Sequence, residues 1–463
     1  AIRRQRQMCI RDRTGRDEQL QSLEKFYESE ANNLTILYGR RGIGKTALLR
    51  EFARNHQYVY YEAVPSDKTG MLKAFAAVVS EQIHKKSEPT GYMGIMTDIA
   101  DCASDKVLII IEEFQNIVRI DQLFMDSVIA MVKHIITDKK VMIILTCSSI
   151  AWVENSMVSA IGSAAYSINA FIKLKELNFS DVVSMFPECD ARSALYIYAI
   201  TGGIPEYLDG FRQDKSIKEN VCNIFLKDNA VFRNSMLYYL KDEFRETGVY
   251  NTLLECLASG LNKLNEIHKS TGYGRDKISV YLNNLIEREI AEKIFSYDKG
   301  PEHNVRKGLY RIKDGFAGFW YGLVHPKLPL LGAGNPSGFY DKYIEPGLDG
   351  FCTEAYIRIA MEFMHIMNEA GKLYSGAEYR GRWYGKAGDV HIIYDNDNGD
   401  TVIGQVYTCS NNVGMAEYEK LKSDASLAGL NVKEIYMFAL NGYDDAIRNC
   451  GVPGLMTINI EDL

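Results

Sequence analysis

Short apolar runs alternate with amphipathic segments in the first part of the chain. Unbroken apolar runs of strand length are typical of parallel strands that are buried on both faces. These runs are 34–38, 58–64, 107–111 and 141–145. The segments in which apolar residues recur at helical spacing are 20–27, 47–53, 71–86, 93–102 and 122–136. The alternation predicts an α/β domain built on a parallel sheet, to which we assign residues 14–178.

Residues 233–312 combine helical patterns with a hairpin pattern. The helical patterns are 250–258, 264–270 and 275–287, and the strand-like segments are 290–297 and 308–312. A glycine-containing turn at 271–274 joins the last two helices, which is the arrangement of a helix-turn-helix. We therefore predict a winged helix-turn-helix in this part of the chain.

The last part of the chain, 313–463, is rich in aromatic residues. One helical pattern covers 351–367, and strand-like segments at 390–394 and 402–407 are joined by a polar turn. These elements predict a further α/β domain at the C-terminal end.

Composition limits the class of protein. A chain of 463 residues is too long for one core and indicates about three domains. No apolar run is long enough to cross a bilayer, so we expect a cytoplasmic protein with no membrane partner. A net charge of −7 argues against a protein that coats nucleic acid, although a local basic patch stays open. The 9 cysteines lack C-x-x-C spacing, so neither a disulfide framework nor a zinc site is indicated.

The first thirteen residues, 1–13, are dominated by Arg and Gln and lack the apolar stretch of a signal peptide. Residues 8–13 are also the translation of ATGTGTATAAGAGACAG, a transposon-end sequence used in library preparation. We interpret them as an assembly artefact, with a disordered basic tail as the alternative, and exclude them from fold reasoning.

A P-loop pattern follows the first predicted strand. The pattern G-x-x-x-x-G-K-[ST] is matched at every fixed position. It comprises Gly39, Arg40, Arg41, Gly42, Ile43, Gly44, Lys45 and Thr46. Glycines let the backbone wrap around phosphate oxygens, Lys45 supplies a positive charge, and the Thr46 hydroxyl can ligate Mg²⁺. The helix that continues from Ala47 points its N-terminus at the same place, so ATP and Mg²⁺ are the predicted ligands.

Two acids, Glu112 and Glu113, follow the apolar run at 107–111. Acids at the carboxyl end of a buried parallel strand face the crevice where α/β sheets bind ligands. We assign Glu112 to the metal, where Asp is usual, and the longer side chain is a reason to expect slow hydrolysis. Glu113 is the candidate catalytic base. Thr146, after the next strand, is either a sensor of the γ-phosphate or a helix N-cap.

Several motifs, in this order and spacing, resemble the archaeal-type ATPase family, which belongs to the STAND class of switch-like, AAA-type P-loop ATPases. They are TGR at 14–16, GRRGIGKT at 39–46, IEEFQ at 111–115, LTCSS at 145–149 and GGIPEYL at 202–208. The resemblance implies an extra strand between the P-loop strand and the strand that ends in Glu112. It also implies a helical lid over 179–232, and it places Arg16 and Pro205 among the residues that contact the nucleotide.

The predicted winged helix has two interpretations. The helix at 275–287 begins with side chains that could meet DNA, namely Arg275, Lys277, Ser279 and Tyr281. Acidic residues dilute this charge, namely Asp276, Glu287 and Glu289. The resemblance offers an internal regulatory module as the other interpretation, which we favour slightly over DNA binding.

The C-terminal part resembles the domain that accompanies these ATPases, which has a PD-(D/E)xK, restriction-endonuclease-like fold. A working nuclease of this type needs an acid on one strand and an acid-x-Lys pair on the next. This chain offers Asp389 or His391, and then Gln405, Val406 and Tyr407. Because the acid-x-Lys pair is missing, we expect no nuclease activity.

The leading functional hypothesis is an ATP-binding protein with slow ATPase activity that acts as a nucleotide-dependent switch. One alternative is an ATP-gated DNA-binding protein, and another is a non-hydrolysing interaction module with an unknown protein partner. Salt-dependent DNA binding would select the first alternative, and absence of ATP binding would select the second.

Overall fold

The computed structural model of the chain describes residues 14–88, 90–297, 308–374, 376–386, 388–408 and 411–463. The segment 1–13, interpreted above as an artefact or tail, lies outside the described residues. The chain divides into two compact units, with the boundary between Glu176 and Leu177. The division into four domains made from the sequence stays a prediction.

The first unit is built on a five-stranded sheet in which every neighbouring pair is parallel. Its strands are β1 (Asn33–Tyr38), β2 (Val59–Glu62), β3 (Lys106–Glu112), β4 (Lys140–Cys147) and β5 (Ala170–Lys173). The order across the sheet is β2-β3-β4-β1-β5. Strand β4 therefore lies between the strand before the P-loop and the strand that ends in Glu112, which confirms the predicted extra strand. All but the first residue of β3 and of β4 are buried, as expected for unbroken apolar runs.

Helices connect these strands in the first unit. They are α1 (Asp17–Glu28), α2 (Lys45–Ala53), α3 (Lys68–Gln82), α4 (Tyr92–Cys102), α5 (Gln115–Val118), α6 (Leu123–Val132), α7 (Ile150–Asn155), α8 (Met157–Ile161) and a 3₁₀ segment at Gly162–Ser167. Helices α3 and α6 end four residues earlier than the sequence predicts. Just beyond each end a histidine has a left-handed backbone, His84 with φ 53° and His134 with φ 58°. A residue with a left-handed backbone cannot continue a right-handed helix. Because glycine usually occupies such a position and here histidine does, the sequence pattern contained no signal for the end of either helix.

The second unit begins with helices in the region predicted to be a lid. They are α9 (Phe179–Met185), α10 (Ala191–Thr201), α11 (Pro205–Leu208), α12 (Ile217–Val221), a π-helical segment at Cys222–Leu226, and α13 (Ser235–Glu243). Side chains of α9 and α10, such as Val182 and Leu195, belong to one buried cluster that also contains Tyr356 and Phe438 near the C-terminal end. The N-terminal helices of this unit and its C-terminal sheet thus share a hydrophobic core.

Three helices and a two-stranded antiparallel sheet follow. They are α14 (Thr247–Ala258), α15 (Leu264–Thr271), α16 (Arg275–Glu287), β6 (Ala291–Ile294) and β7 (Leu309–Ile312). Gly272, with φ 73°, ends α15 and begins the tight turn into α16. The predicted helices and strands are all present, although residues 298–307 of the predicted hairpin loop lie outside the described residues.

The C-terminal sheet has five strands in the order β12-β11-β10-β9-β8. The strands are β8 (Glu378–Tyr384), β9 (Asp389–Asp395), β10 (Asp400–Tyr407), β11 (Asn431–Ala439) and β12 (Leu455–Asn459). β9 pairs antiparallel with both β8 and β10, whereas β11 pairs parallel with both β10 and β12. This mixed sheet with helices is a second α/β arrangement, as predicted.

The helices that precede and follow these strands along the chain complete the second unit. They are α17 (Gly315–Phe319), α18 (Pro336–Phe339), α19 (Glu345–Phe351), α20 (Thr353–Glu369), α21 (Met415–Leu427) and α22 (Asp445–Arg448). Irregular helical segments are π-helices at Trp320–Val324 and Tyr340–Ile344 and 3₁₀ helices at His325–Gly334 and Ile460–Asp462. Across the described ranges no helix has the length and apolarity to span a bilayer. The cysteines among those residues are all free thiols.

Candidate nucleotide-binding site

The P-loop joins the end of β1 to the start of α2. Gly42 and Gly44 have left-handed backbones, with φ 79° and 92°, which a residue with a side chain adopts only with strain. Gly39 approaches another part of the chain so closely that a Cβ atom there would lie 2.7 Å from the carbonyl oxygen of Leu174. The backbone geometry therefore explains each fixed glycine of the pattern. The loop ends at the N–H groups of the start of α2.

Lys45 is buried inside this loop, with 8% of its surface exposed. Its Nζ donates hydrogen bonds to the carbonyl oxygens of Gly39 at 2.7 Å and Arg40 at 3.3 Å. Burial lowers the pKa of the Lys45 ammonium, and the carboxylates of Glu113 and Glu112 oppose that shift. The geometry places one desolvated cation at the centre of the loop, where phosphate oxygens would be its natural partners.

Thr46 and Glu112 meet at the carboxyl edge of the sheet. The Thr46 hydroxyl donates to Oε2 of Glu112 at 2.9 Å. The other oxygen, Oε1, is buried and makes no hydrogen bond to any residue in the described part of the chain. Burial raises the pKa of the Glu112 carboxyl, while the hydroxyls of Thr46 and Tyr60 and the charge of Lys45 lower it. The pair is thus a hydroxyl and a carboxylate oxygen side by side, which is the donor set that Mg²⁺ prefers.

Glu113 follows β3 directly and has a left-handed backbone, with φ 54°. Its N–H donates to the Thr146 hydroxyl oxygen at 3.4 Å, and the next N–H, of Phe114, donates to the Thr146 carbonyl at 3.1 Å. Thr146 is fully buried. The Thr146 side chain thus contacts the backbone of the segment after β3, and its assignment as a phosphate sensor stays a prediction.

The Glu113 carboxylate is held by two residues that sequence reasoning did not assign to the site. The Ser148 hydroxyl donates to Oε2 of Glu113 at 2.6 Å, and the amide Nε2 of Gln115 donates to the same oxygen at 2.6 Å. Both residues lie in segments that resemble family motifs, at 145–149 and 111–115. The polarity of these two positions was the available signal, but their shared target could not be inferred before β3 and β4 were known to be neighbours.

Arg16 lies next to the P-loop but points at its backbone. The guanidinium Nη2 donates to the carbonyl oxygen of Ile43 at 3.0 Å and to that of Lys175 at 3.0 Å. The residue is 6% exposed. These contacts give Arg16 a role in holding the loop in shape, and direct contact with the nucleotide stays a prediction.

The remaining predicted residues are placed as follows. Arg40 is buried and Arg41 is exposed on the loop, while Ala47 lies in the first turn of α2 and is half-buried. Pro205 is the first residue of α11 in the second unit. The sequence-predicted residues of the first unit therefore gather around the P-loop, whereas the contact of Pro205 with the nucleotide stays a prediction.

Part of the chain is similar to a known protein family. Residues 14–211 match the family described as an ATPase domain predominantly from Archaea. This part of the chain is therefore similar to that family, and its P-loop and acidic strand end fit the nucleotide and Mg²⁺ that the family implies.

Two proteins and one solved structure are also similar to this chain. An uncharacterized protein of Methanocaldococcus jannaschii is 27% identical over 391 residues, which cover 83% of this chain and 84% of the relative. An uncharacterized ATP-binding protein of the same organism is 48% identical over 40 residues, which cover 9% of this chain and 68% of the relative. The Walker-type ATPase of Pyrococcus abyssi has a similar fold, with a TM-score of 0.51 and 15% identity over 66% of this chain and 95% of that protein.

Proposed function

We propose that the protein binds ATP with Mg²⁺, hydrolyses it slowly and works as a nucleotide-dependent switch. The observation that carries the proposal is the grouping of Lys45, Thr46, Glu112 and Glu113 at one edge of the sheet, around a loop with the required glycines. The match of residues 14–211 to an ATPase family supports the same conclusion.

Each residue has a role that follows from its position. Lys45 would exchange its bonds to the loop carbonyls for bonds to phosphate oxygens, which match its charge better. Thr46 and Glu112 would hold Mg²⁺, which when bound neutralises charge on the phosphates. Glu113 would accept a hydrogen bond from the attacking water and so orient it. Slow turnover is expected because Glu112 must adjust its longer side chain to the strict octahedral geometry of Mg²⁺.

Contacts within the second unit support the switch. In α10, the Tyr196 hydroxyl donates to Asp349 of α19 at 2.5 Å, and Arg192 donates to the carbonyl oxygen of Leu440 after β11 at 3.0 Å. In α20, Glu362 accepts a hydrogen bond from the N–H of Phe179, the first residue of α9. If nucleotide binding displaced these N-terminal helices, the proposed lid at 179–232, the C-terminal sheet would therefore move with them.

The helices and hairpin at 233–312, the proposed winged helix, are a candidate for DNA binding. The basic residues of α16 already have partners, however, since Lys277 pairs with Glu246 at 3.1 Å and Arg275 donates to Asn265 at 2.8 Å. The opposite charge of Glu246 offsets that of Lys277, which weakens the attraction of this face for phosphates.

The residues just after β6 contact the C-terminal sheet. Ser296, just after β6, pairs with Arg382 in the edge strand β8, and its hydroxyl oxygen accepts a hydrogen bond from the N–H of Tyr384. The Tyr297 hydroxyl donates to Asp395 at 2.7 Å. These contacts favour an internal regulatory module over a DNA reader, because they hold the residues just after β6 against the edge of the C-terminal sheet.

We propose that the C-terminal sheet is nuclease-like and inactive. Nδ1 of His391 accepts from the N–H of Val406 at 3.1 Å, so Nε2 carries the proton and donates to Asp389 at 3.1 Å. That hydrogen bond lowers the pKa of the Asp389 carboxyl. Gln405 donates weakly to the same carboxylate, at 3.4 Å. Asp389 is therefore committed to neutral donors within the protein.

The acid on the neighbouring helix, Glu354, is committed as well. It pairs with Arg311 and, at 2.9 Å, with Arg382. Burial would raise the pKa of Glu354, but the two guanidinium charges outweigh burial and lower it. Two fixed cations thus neutralise the carboxylate that a metal would otherwise need.

The test of the proposed function is an ATPase assay on the full chain with Mg²⁺, with and without duplex DNA. We expect slow turnover that DNA does not change, and Glu113→Gln should bind ATP yet turn over more slowly. Turnover that DNA stimulates would favour the DNA-binding alternative. Tight ATP binding with no turnover in wild type would contradict the ATPase and leave a binding protein.

A further inference from the structure

The Glu113 carboxylate is held through a single oxygen. Oε2 accepts from the Ser148 hydroxyl at 2.6 Å, from the Ser148 backbone N–H at 3.3 Å and from Nε2 of Gln115 at 2.6 Å. Within the described ranges, no hydrogen bond to Oε1 is found. One oxygen is therefore saturated with donors while the other keeps its accepting capacity.

The backbone beneath this carboxylate is fixed from the same strand end. A left-handed backbone at a residue other than glycine, here φ 54° at Glu113, costs on the order of 1 kcal/mol and persists only where the surroundings enforce it. Thr146 enforces it through its bonds to the N–H groups of Glu113 and Phe114. The end of β4 thus fixes both the backbone and, through Ser148, the side chain of Glu113.

We propose that Ser148 and Gln115 are positioning residues that orient Glu113 so that its free oxygen, Oε1, faces the attacking water. This inference rests on the proposed ATPase function and extends it to residues outside the predicted site. A carboxylate on a long, flexible side chain loses rotational freedom when it is held by donors from two segments, so the base is preorganised for its water.

The hydrogen bonds to Glu113 could also have the opposite role, which predicts the opposite change in turnover. If the same hydrogen bonds kept Glu113 away from the water, removal of the Ser148 hydroxyl would release the base and raise turnover. If they orient it, the removal lowers turnover and leaves nucleotide affinity unchanged, because Ser148 contacts the base and not the P-loop. The direction of the change in kcat therefore separates the two roles.

The experiment compares Ser148→Ala with wild type in the full chain, with ATP affinity measured by calorimetry and kcat and KM by steady-state assay. We expect kcat to fall about tenfold with ATP affinity and KM unchanged, a size typical of residues that orient a catalytic group. Ser148→Thr, which keeps the hydroxyl, should restore most of the loss, and Gln115→Met should repeat it. Ser149→Ala is the matched control and should turn over like wild type.

The outcomes distinguish this inference from the proposed function. Wild-type kcat or higher in Ser148→Ala, together with slow turnover in Glu113→Gln, would overturn the positioning role alone. Absence of ATP binding by the wild-type protein, or turnover in Glu113→Gln equal to that of wild type, would overturn the proposed function and the positioning role with it. A fall in kcat that Ser148→Thr fails to restore would assign the effect to packing and also overturn the positioning role.

Discussion

The variant Arg16→Ala tests whether Arg16 holds the P-loop in shape or contacts the nucleotide. Its Nη2 donates to two carbonyl oxygens, those of Ile43 and Lys175, both at 3.0 Å. Hydrogen bonds from a charged group contribute about 1.5–3 kcal/mol each, and one nitrogen that serves two acceptors belongs at the lower end. Since Arg16 is almost fully buried, solvent screens these bonds little. Arg16→Ala should therefore destabilise the first unit by roughly 3 kcal/mol.

Thermal unfolding without nucleotide measures this effect. For a unit of this size, a loss of that magnitude lowers the unfolding midpoint by about 6–12 °C. Arg54→Ala, at the exposed residue just after the P-loop helix, is the matched control and should change the midpoint by no more than about 2 °C. An unfolding midpoint of Arg16→Ala equal to wild type, combined with weaker ATP binding, would refute the scaffold role and show that Arg16 acts on the nucleotide.

Two further predictions concern the second unit. The full chain should not cleave plasmid or branched DNA with Mg²⁺ or Mn²⁺, because Asp389 and Glu354 are committed to partners within the protein; metal-dependent cleavage that Asp389→Ala abolished would contradict this. Burial, and then the charge of Asp181, raises the pKa of Glu362. Ionisation of Glu362 therefore destabilises the fold, and stability is lost as pH rises through the folded pKa. Glu362→Gln should unfold at a higher temperature than wild type near about pH 8 and at the same temperature below about pH 4, where the carboxyl is protonated in both states; an equal midpoint at both pH values would contradict it.

The parallel sheet and the P-loop could be predicted because their signals are local. An unbroken apolar strand, a fixed glycine pattern and a following helix lie within about twenty residues of each other. Strand β8 was not predicted, since Glu378–Tyr384 mixes charged residues, glycine and aromatics, and its pairing with β9 is interrupted by register shifts. Strand β5 was missed for a similar reason, because its four residues are only partly buried.

The finer geometry of the site depends on contacts between distant residues. Ser148 reaches Glu113 only because β3 and β4 are neighbours, and Arg16 reaches Lys175 across most of the first unit. A single sequence contains no signal for such pairs. Residue types at motif positions therefore predicted which polar side chains lie around the P-loop, but not which of them hold one another.

The central claim is that Lys45 and its loop bind the phosphates of ATP. Calorimetric titration of the full chain with ATP and Mg²⁺ tests it most directly, with Lys45→Ala as the comparison and circular dichroism to establish that the variant is folded. Loss of a charge-assisted contact of about 1.5–3 kcal/mol predicts ATP affinity roughly 10- to 150-fold weaker than wild type. Equal affinity in the two proteins, or no binding to wild type, would contradict the account.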